Sequence, residues 1–423
     1  MKRLVLLAAM LFCILNIYAQ ESSDFVQIAG KVVVKGSSQP LHFASVTLAG
    51  TNISNVTNSE GIFTLKIPAS QLADGLVTVS HLGYAEAVLR ISDFKDHSSP
   101  EKPLKIIIVP VNYTLDPAIV SAHDPLELLK AAIMKINENY ATENIGMLAF
   151  YREMVKKGSS KYLAMNEAIV DINKASYSSY HGDRAGIYKG RGSKNYDSTD
   201  TLFIKYVGGL GALLEIDNAK NPFAGVPFDE LGMYYEFRNG TPQVLGNRFF
   251  RVVEFTKKSY ITDILMRGRV FIDSETLAIG RTEMSINVEG RDDAVSIFIL
   301  KRPPQIRIEV LSAQYVVNYR MSGNKWYYEY AKSEVRFATR KKHSLFRNTF
   351  TVTSEIAVTD FKPGVIPIKN DARIKFRDYM TEKVEAFTDE NFWENYNIIE
   401  PDQSIEKIIK KIVKQLKKHK TEN

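Results

Sequence analysis

Short alternations of apolar and polar residues open this chain, and long ones dominate its second half. Segments 26–34, 43–49, 62–67, 76–80, 85–91 and 105–111 are rich in Val, Ile, Leu and Phe. Polar breaks separate them: Gly36-Ser37-Ser38, Asn58-Ser59-Glu60-Gly61, Asp74-Gly75 and Ser98-Ser99-Pro100. That spacing predicts a β-sandwich of roughly seven strands over residues 25–112. Phe63 and Leu65 alternate with Thr64 and Lys66, which gives one buried face. Gly61 follows three polar residues and is expected to take the positive-φ position of a tight turn.

Residues 113–122 carry a Pro and no helical period, and read as a linker. A helix is then predicted: Asp124 caps it, Pro125 suits its first turn, and Leu126, Leu129, Ile133 and Ile136 recur at helical spacing. From there the period is two. Thr282, Met284, Ile286 and Val288 alternate with Arg281, Glu283, Ser285 and Asn287, and Phe350, Val352, Ile356 and Val358 with Thr351, Thr353, Glu355 and Thr359. Long antiparallel strands, each with one wet face, are expected across residues 123–400. Trp326, Tyr328 and Tyr330 read as one face, after which the apolar phase slips to Val335 and Phe337, the mark of a β-bulge. Leu129, Ile133 and Ile136 from the helix, with Met284, Ile286, Trp326 and Tyr328 from strands, are the candidate lining for an apolar ligand between helix and sheet.

A second helical pattern covers residues 402–423. Ile405, Ile408, Ile409, Ile412, Val413 and Leu416 form one stripe, while Lys407, Lys410, Lys411, Lys414, Lys417 and Lys418 cover the rest. Such a helix either docks on the protein's own sheet or lies on an anionic membrane surface, where each lysine adds on the order of 1 kcal/mol. The stripe has no Trp or Phe, which argues against deep insertion.

Gly30-Lys-Val-Val-Val, Pro40, Ala44-Ser45-Val46, Gly50-Thr51, Thr57-Asn-Ser-Glu-Gly61-Ile-Phe63 and Leu82-Gly83-Tyr84 together resemble the carboxypeptidase regulatory-like domain. That resemblance implies a transthyretin-like β-sandwich and an accessory role, as found in envelope proteins of the Bacteroidetes type, without peptidase chemistry. Asn58 stands where the family usually has Asp, which keeps the turn and weakens any calcium role. In the second domain, one helix followed by long strands, with Gly268-Arg-Val-Phe-Ile-Asp273-Ser-Glu-Thr-Leu-Ala-Ile279 as a hairpin, is similar to the lipoprotein-carrier (Lol-type) half-barrel. The chain stops where some envelope relatives continue into a membrane barrel, so no barrel is expected here. The expected architecture is therefore mainly β: a sandwich, a larger half-barrel-like antiparallel domain with a packed helix, and a C-terminal amphipathic helix.

Composition adds the compartment. In 423 residues, 45% are hydrophobic and 24% charged, values of a globular protein. The net charge of +7 resides in Lys2, Arg3 and the C-terminal lysines; elsewhere acidic and basic residues are equal in number, so no nucleic-acid face is expected. Lys2-Arg3, the apolar Leu4–Ile17 run and Ala19 read as a signal peptide over residues 1–19, with export to the periplasm or outer membrane. No transmembrane segment is expected after cleavage. Cys13, the only cysteine, lies in that leader, so the mature chain has no thiol chemistry.

Of the seven histidines (42, 81, 97, 123, 181, 343, 419) only His419 has Glu at +3, Glu422, and none has another His at +3 to +5, so no zinc site or cofactor is expected. Nucleophile-elbow, phosphate-loop and EF-hand strings are lacking. Gly208-Gly209-Leu210-Gly211 and the basic, Gly-rich stretch from His181 to Lys194 read as loops, the second able to hold a phosphate or sulfated sugar. The reading is a non-enzymatic exported envelope protein whose partners are another envelope protein, a lipid or a peptide. The alternative is a hydrolase whose carboxylates meet only in the fold.

Overall fold

The computed structural model describes residues 25–72, 75–111, 124–159, 161–194, 205–206, 209–223, 225–301, 304–342, 344–375, 378, 380–387, 395–403, 405–407 and 409–410. The signal-peptide and linker assignments lie outside these residues, as do Ile408, Ile412, Lys414 and Leu416.

The short runs form seven strands: β1 (Phe25–Val34), β2 (Ser45–Leu48), β3 (Ser54–Val56), β4 (Ile62–Pro68), β5 (Leu76–Ser80), β6 (Ala87–Arg90) and β7 (Leu104–Ile108). They make two sheets, β4-β1-β7 and β3-β2-β5-β6. β1 runs antiparallel to β4 and parallel to β7. Val32, Val46, Phe63, Leu65, Val79 and Ile106 fill the space between the sheets. Gly61 has φ 74° and its Cα faces the Val32 carbonyl, which leaves no room for a side chain.

The second part starts with α1 (Pro125–Met134), where the Asp124 carboxylate accepts from the Leu126 and Glu127 amides, followed by α2 (Ile136–Asn139). The chain continues as β8 (Ile145–Lys157), β9 (Lys161–Lys174), β10 (Arg184–Lys194), β11 (Lys205–Tyr206), α3 (Gly209–Glu215), α4 (Leu231–Tyr234), β12 (Tyr235–Leu245), β13 (Arg248–Lys257), β14 (Met266–Asp273) and β15 (Ile279–Ile286). It ends with α5 (Val295–Phe298), β16 (Ile299–Lys301), β17 (Ile306–Ser322), β18 (Lys325–Lys341), β19 (Arg347–Pro363), β20 (Arg373–Ile374) and α6 (Met380–Glu385). Eleven strands join in the order β12-β13-β14-β15-β17-β18-β19-β8-β9-β10-β20, an antiparallel sheet that does not close into a barrel. β11 and β16 form a small ribbon.

α1 packs on one face of this sheet through Leu128, Leu129 and Ala132. Met147, Ala149 and Tyr151 of β8 belong to the same core, while Phe150 points the other way. One wet face per strand was expected. At the centre neither face is wet, because the N-terminal module, residues 395–400 and Ile405 cover the side away from α1.

The expected bulge is present. Asn318 pairs with Tyr330 and Tyr319 with Tyr328, so Glu329 is the extra residue. It reverses the alternation: Trp326 and Tyr328 join the α1-side core, and Tyr330 faces the module instead of sharing their face. Two expected loops are regular structure. Residues 184–194 are β10, whose Gly190 and Gly192 lie against Val384 of α6 and so admit that helix. Residues 209–215 are α3, fixed by burial of Leu210, Leu213 and Leu214.

Candidate functional site

Two rows of polar side chains cross the middle of the large sheet, one on each face. On the module side, Glu355, Arg152, Glu167 and Arg191 lie on β19, β8, β9 and β10 in cross-strand register. Arg152 Nε donates to Glu167 at 2.7 Å, Arg191 Nη2 reaches Glu167 at 2.7 Å, and Arg152 Nη1 lies 3.4 Å from Glu355. Burial pushes the Glu167 carboxyl up, but Arg191 and Arg152 outweigh it and hold it below the usual range. Arg152 Nη2 donates to the Ile399 carbonyl at 2.7 Å, which ties the ladder to the covering segment. The other face carries Ser333, Ser354, Glu153 and Asn166. Glu153 accepts from Tyr151 Oη at 3.0 Å, Ser354 Oγ at 3.3 Å and Asn166 Nδ2 at 3.5 Å, all neutral donors. Burial therefore raises its carboxyl above the ordinary range, with these three donors opposing.

The module sits on the ladder side. Val56 packs with Phe150, Ile169, Tyr330, Ala357, Ile398 and Ile399, and the Phe43 and Tyr330 rings lie 4.5 Å apart. Ser54 Oγ donates to the Val358 carbonyl at 3.0 Å and Asn55 Nδ2 to Ile398 at 2.7 Å, while Thr64 bonds Glu400. Ser45 Oγ donates to the bulge residue Glu329, whose partner Arg320 lies 3.3 Å away.

A third buried cluster lies on the α1 side. Lys174 Nζ meets Asp183 and Asp217, each at 2.5 Å. Asp217 also accepts from Tyr177 Oη at 2.9 Å, Tyr319 Oη at 2.5 Å and the Ala219 amide at 3.1 Å. Asp183 and Asp217 are one meeting of carboxylates the hydrolase alternative could use, and a lysine and two phenols already occupy it. Beside it opens a polar cavity of ≈ 270 Å³, lined by His181, Asp183, Glu215 and Lys220 among others. Lys220 Nζ donates to the Ser176 and Ser179 carbonyls, the latter at 2.7 Å. Burial raises Glu215 and lowers Lys220. Among the described residues, no group of three His, Cys, Asp or Glu side chains converges to hold a metal ion.

The apolar cavity is elsewhere. Phe223, Tyr235, Phe255, Leu265, Met266, Met284, Ile286 and Ile297 are among the side chains around a space of ≈ 100 Å³ at one end of β12–β15. Two of the sequence candidates, Met284 and Ile286, line it. Leu129, Ile136, Trp326 and Tyr328 are buried in the close-packed core, with Ile133 partly buried against it. Of the C-terminal candidates, Ile405 is buried against Met154 and Met165, whereas Lys410 is exposed and lies 3.8 Å from Glu406. Lys174, Asp217 and the Arg152 ladder escaped the sequence reading. Arg152-Glu153 within the apolar run Ala149–Val155 was the available signal, since charge inside such a strand needs a buried partner.

Residues 28–105, the seven-stranded module, match the CarboxypepD_reg-like domain family. The match does not reach the large sheet. No curated protein sequence matches the chain. Among solved structures, that of a DUF1329 family protein from Desulfovibrio piger is similar over 56% of this chain and 94% of the other, at 10% identity. Its TM-score of 0.25 is too low to bear on the fold.

Proposed function

We propose that this is a non-enzymatic, exported cell-envelope protein in which the carboxypeptidase regulatory-like module clamps a scaffold sheet, and the sheet's cavity takes the apolar end of a lipid or peptide. The observation that carries the reading is the ≈ 100 Å³ space ringed by Phe223, Phe255, Met266, Met284 and Ile286. Its walls are mainly apolar, and apolar cavities of this order bind small apolar groups. It is smaller than a site for a whole ligand, so it suits the last few carbons of an acyl chain or one side chain. Export rests on Lys2-Arg3, the apolar run and Ala19. The saturated carboxylates around Lys174 and Arg152 argue against the hydrolase alternative.

Titration with a fluorescent fatty acid tests the cavity. Wild type is expected to bind and Met284→Trp, which fills the space, to lose binding with its melting temperature retained. Equal binding by both, or none by wild type, would overturn the reading. Expression in a bacterium with the natural leader tests export: the secreted form should begin at Gln20 or Glu21.

A further inference from the structure

One end of the large sheet combines two features that rarely occur together on a water-facing surface. The β18–β19 hairpin ends in a tip where Leu345 is 96% and Phe346 84% exposed. The tip is shaped by its own bonds: the Ser344 amide donates to the Lys341 carbonyl at 3.0 Å, and Ser344 Oγ accepts from the Phe346 amide at 3.1 Å. The Lys342 amide donates to Gln305 at 2.8 Å, which anchors the hairpin to the start of β17. Below the tip, Phe337 and Phe350 stack at 5.5 Å within the core. The two exposed side chains are thus held out on a braced support, not left over from a loose loop.

Positive charge surrounds them. Arg340, Lys341, Lys342 and Arg347 flank the tip and are all exposed. Glu309 pairs with Arg347 at 2.9 Å, and Arg340, Lys341 and Lys342 pair with no carboxylate among the described residues. The neighbouring β8–β9 hairpin turns at the same end, since Lys157 pairs with Phe350, and it adds Lys156, Lys157 and Lys161. Ile405 docks on Met154 and Met165, with Ile409 packed against them, near the base of that hairpin, which brings in Lys407, while Lys410 lies 3.8 Å from Glu406.

We propose that this end of the sheet docks on an anionic lipid surface, with Leu345 and Phe346 entering the headgroup layer and the basic collar resting on the phosphates. A protruding aliphatic–aromatic pair inside a cationic ring matches an interface that is apolar below and negative above. A polynucleotide would satisfy the charge but leave Leu345 in water, so lipid is the better fit. This surface is separate from the apolar cavity, and its test does not depend on any ligand there.

Co-sedimentation of the mature chain with phosphatidylglycerol–phosphatidylcholine vesicles, against pure phosphatidylcholine, reads the proposal. Binding should need the anionic lipid and fall with salt, each collar charge strengthening it about fivefold. Leu345→Ser with Phe346→Ser should weaken it by about tenfold or more. Because both residues are exposed, the melting temperature should not change. Lys341→Glu with Lys342→Glu should reduce binding on its own. Binding that is equal on neutral vesicles, or unaffected by the Leu345/Phe346 change, overturns the proposal. So does retention of a single-stranded oligonucleotide that the anionic vesicles cannot displace.

Discussion

Ser45 on β2 donates its hydroxyl to Glu329 at 2.6 Å, joining the module to the single extra residue of the β18 bulge. The bulge thereby does two things at once. It aims a buried carboxylate at the module and turns Tyr330 onto Phe43. Burial raises the Glu329 carboxyl, with Arg320 and Ser45 opposing. Ser45→Ala removes a donor from a buried acceptor and should cost about 1–3 kcal/mol. A lower urea midpoint at unchanged m would show it, whereas an unchanged midpoint would mean the bond adds nothing.

Glu153 sets a pH dependence. Its folded carboxyl is raised, so near and above the ordinary carboxylate range the unfolded state binds fewer protons than the folded state. Stability then falls as pH rises from that range towards the folded value, and is fully present below it. Glu153→Gln, which keeps the shape without the charge, should match wild type at low pH and melt higher as pH rises. Parallel melting curves across pH 4–8 would contradict this.

Lys174 compensates two aspartates, one of them fully buried, and stacks 4.9 Å over the Tyr328 ring. Lys174→Met strands both charges and should cost about 3–5 kcal/mol. Adding Asp217→Asn should return part of the loss, because the two sites are coupled. Additive losses in a denaturation cycle would show that they act separately.

At Gly190 a Cβ would stand 2.9 Å from Val384 Cγ1. Gly190→Val should push α6 off β10 at a cost of about 1–3 kcal/mol. Hydrogen exchange would then speed up at residues 380–385 while β17 and β18 stay protected.

The sequence discloses what depends on local pattern. Period two marks the strands, Asp124-Pro125 marks the start of α1, and the slip between Tyr330 and Val335 marks a bulge, because each leaves its trace within a few residues. Its centre at Glu329 was hidden, since the extra residue looks like an ordinary polar position. The double cover of β8 was hidden too, because the module and residues 395–400 that lie over Arg152 and Glu167 are far away in the chain. α3 and β10 were misread because their glycines suggested loops, whereas close packing against Val384 and Met380 is what requires them. Of the apolar candidates, Met284 and Ile286 could not be told from Trp326 by pattern, since cavity wall and filled core share one periodicity.

Asn55 bonds Ile398 across 343 residues, and Arg152 reaches Glu355 across 203. The sheet's middle and the module's seat therefore exist only after distant stretches of chain have met. Loop closure must precede the contacts that reward it, which makes folding slow. During synthesis, Val56, Phe150 and Ile169 are made long before Ile398 and Ile399 arrive to cover them. An unfinished chain carries an open apolar strip beside unpaired strand edges, the kind of surface that aggregates. That strip stays open until residues 395–400 are made.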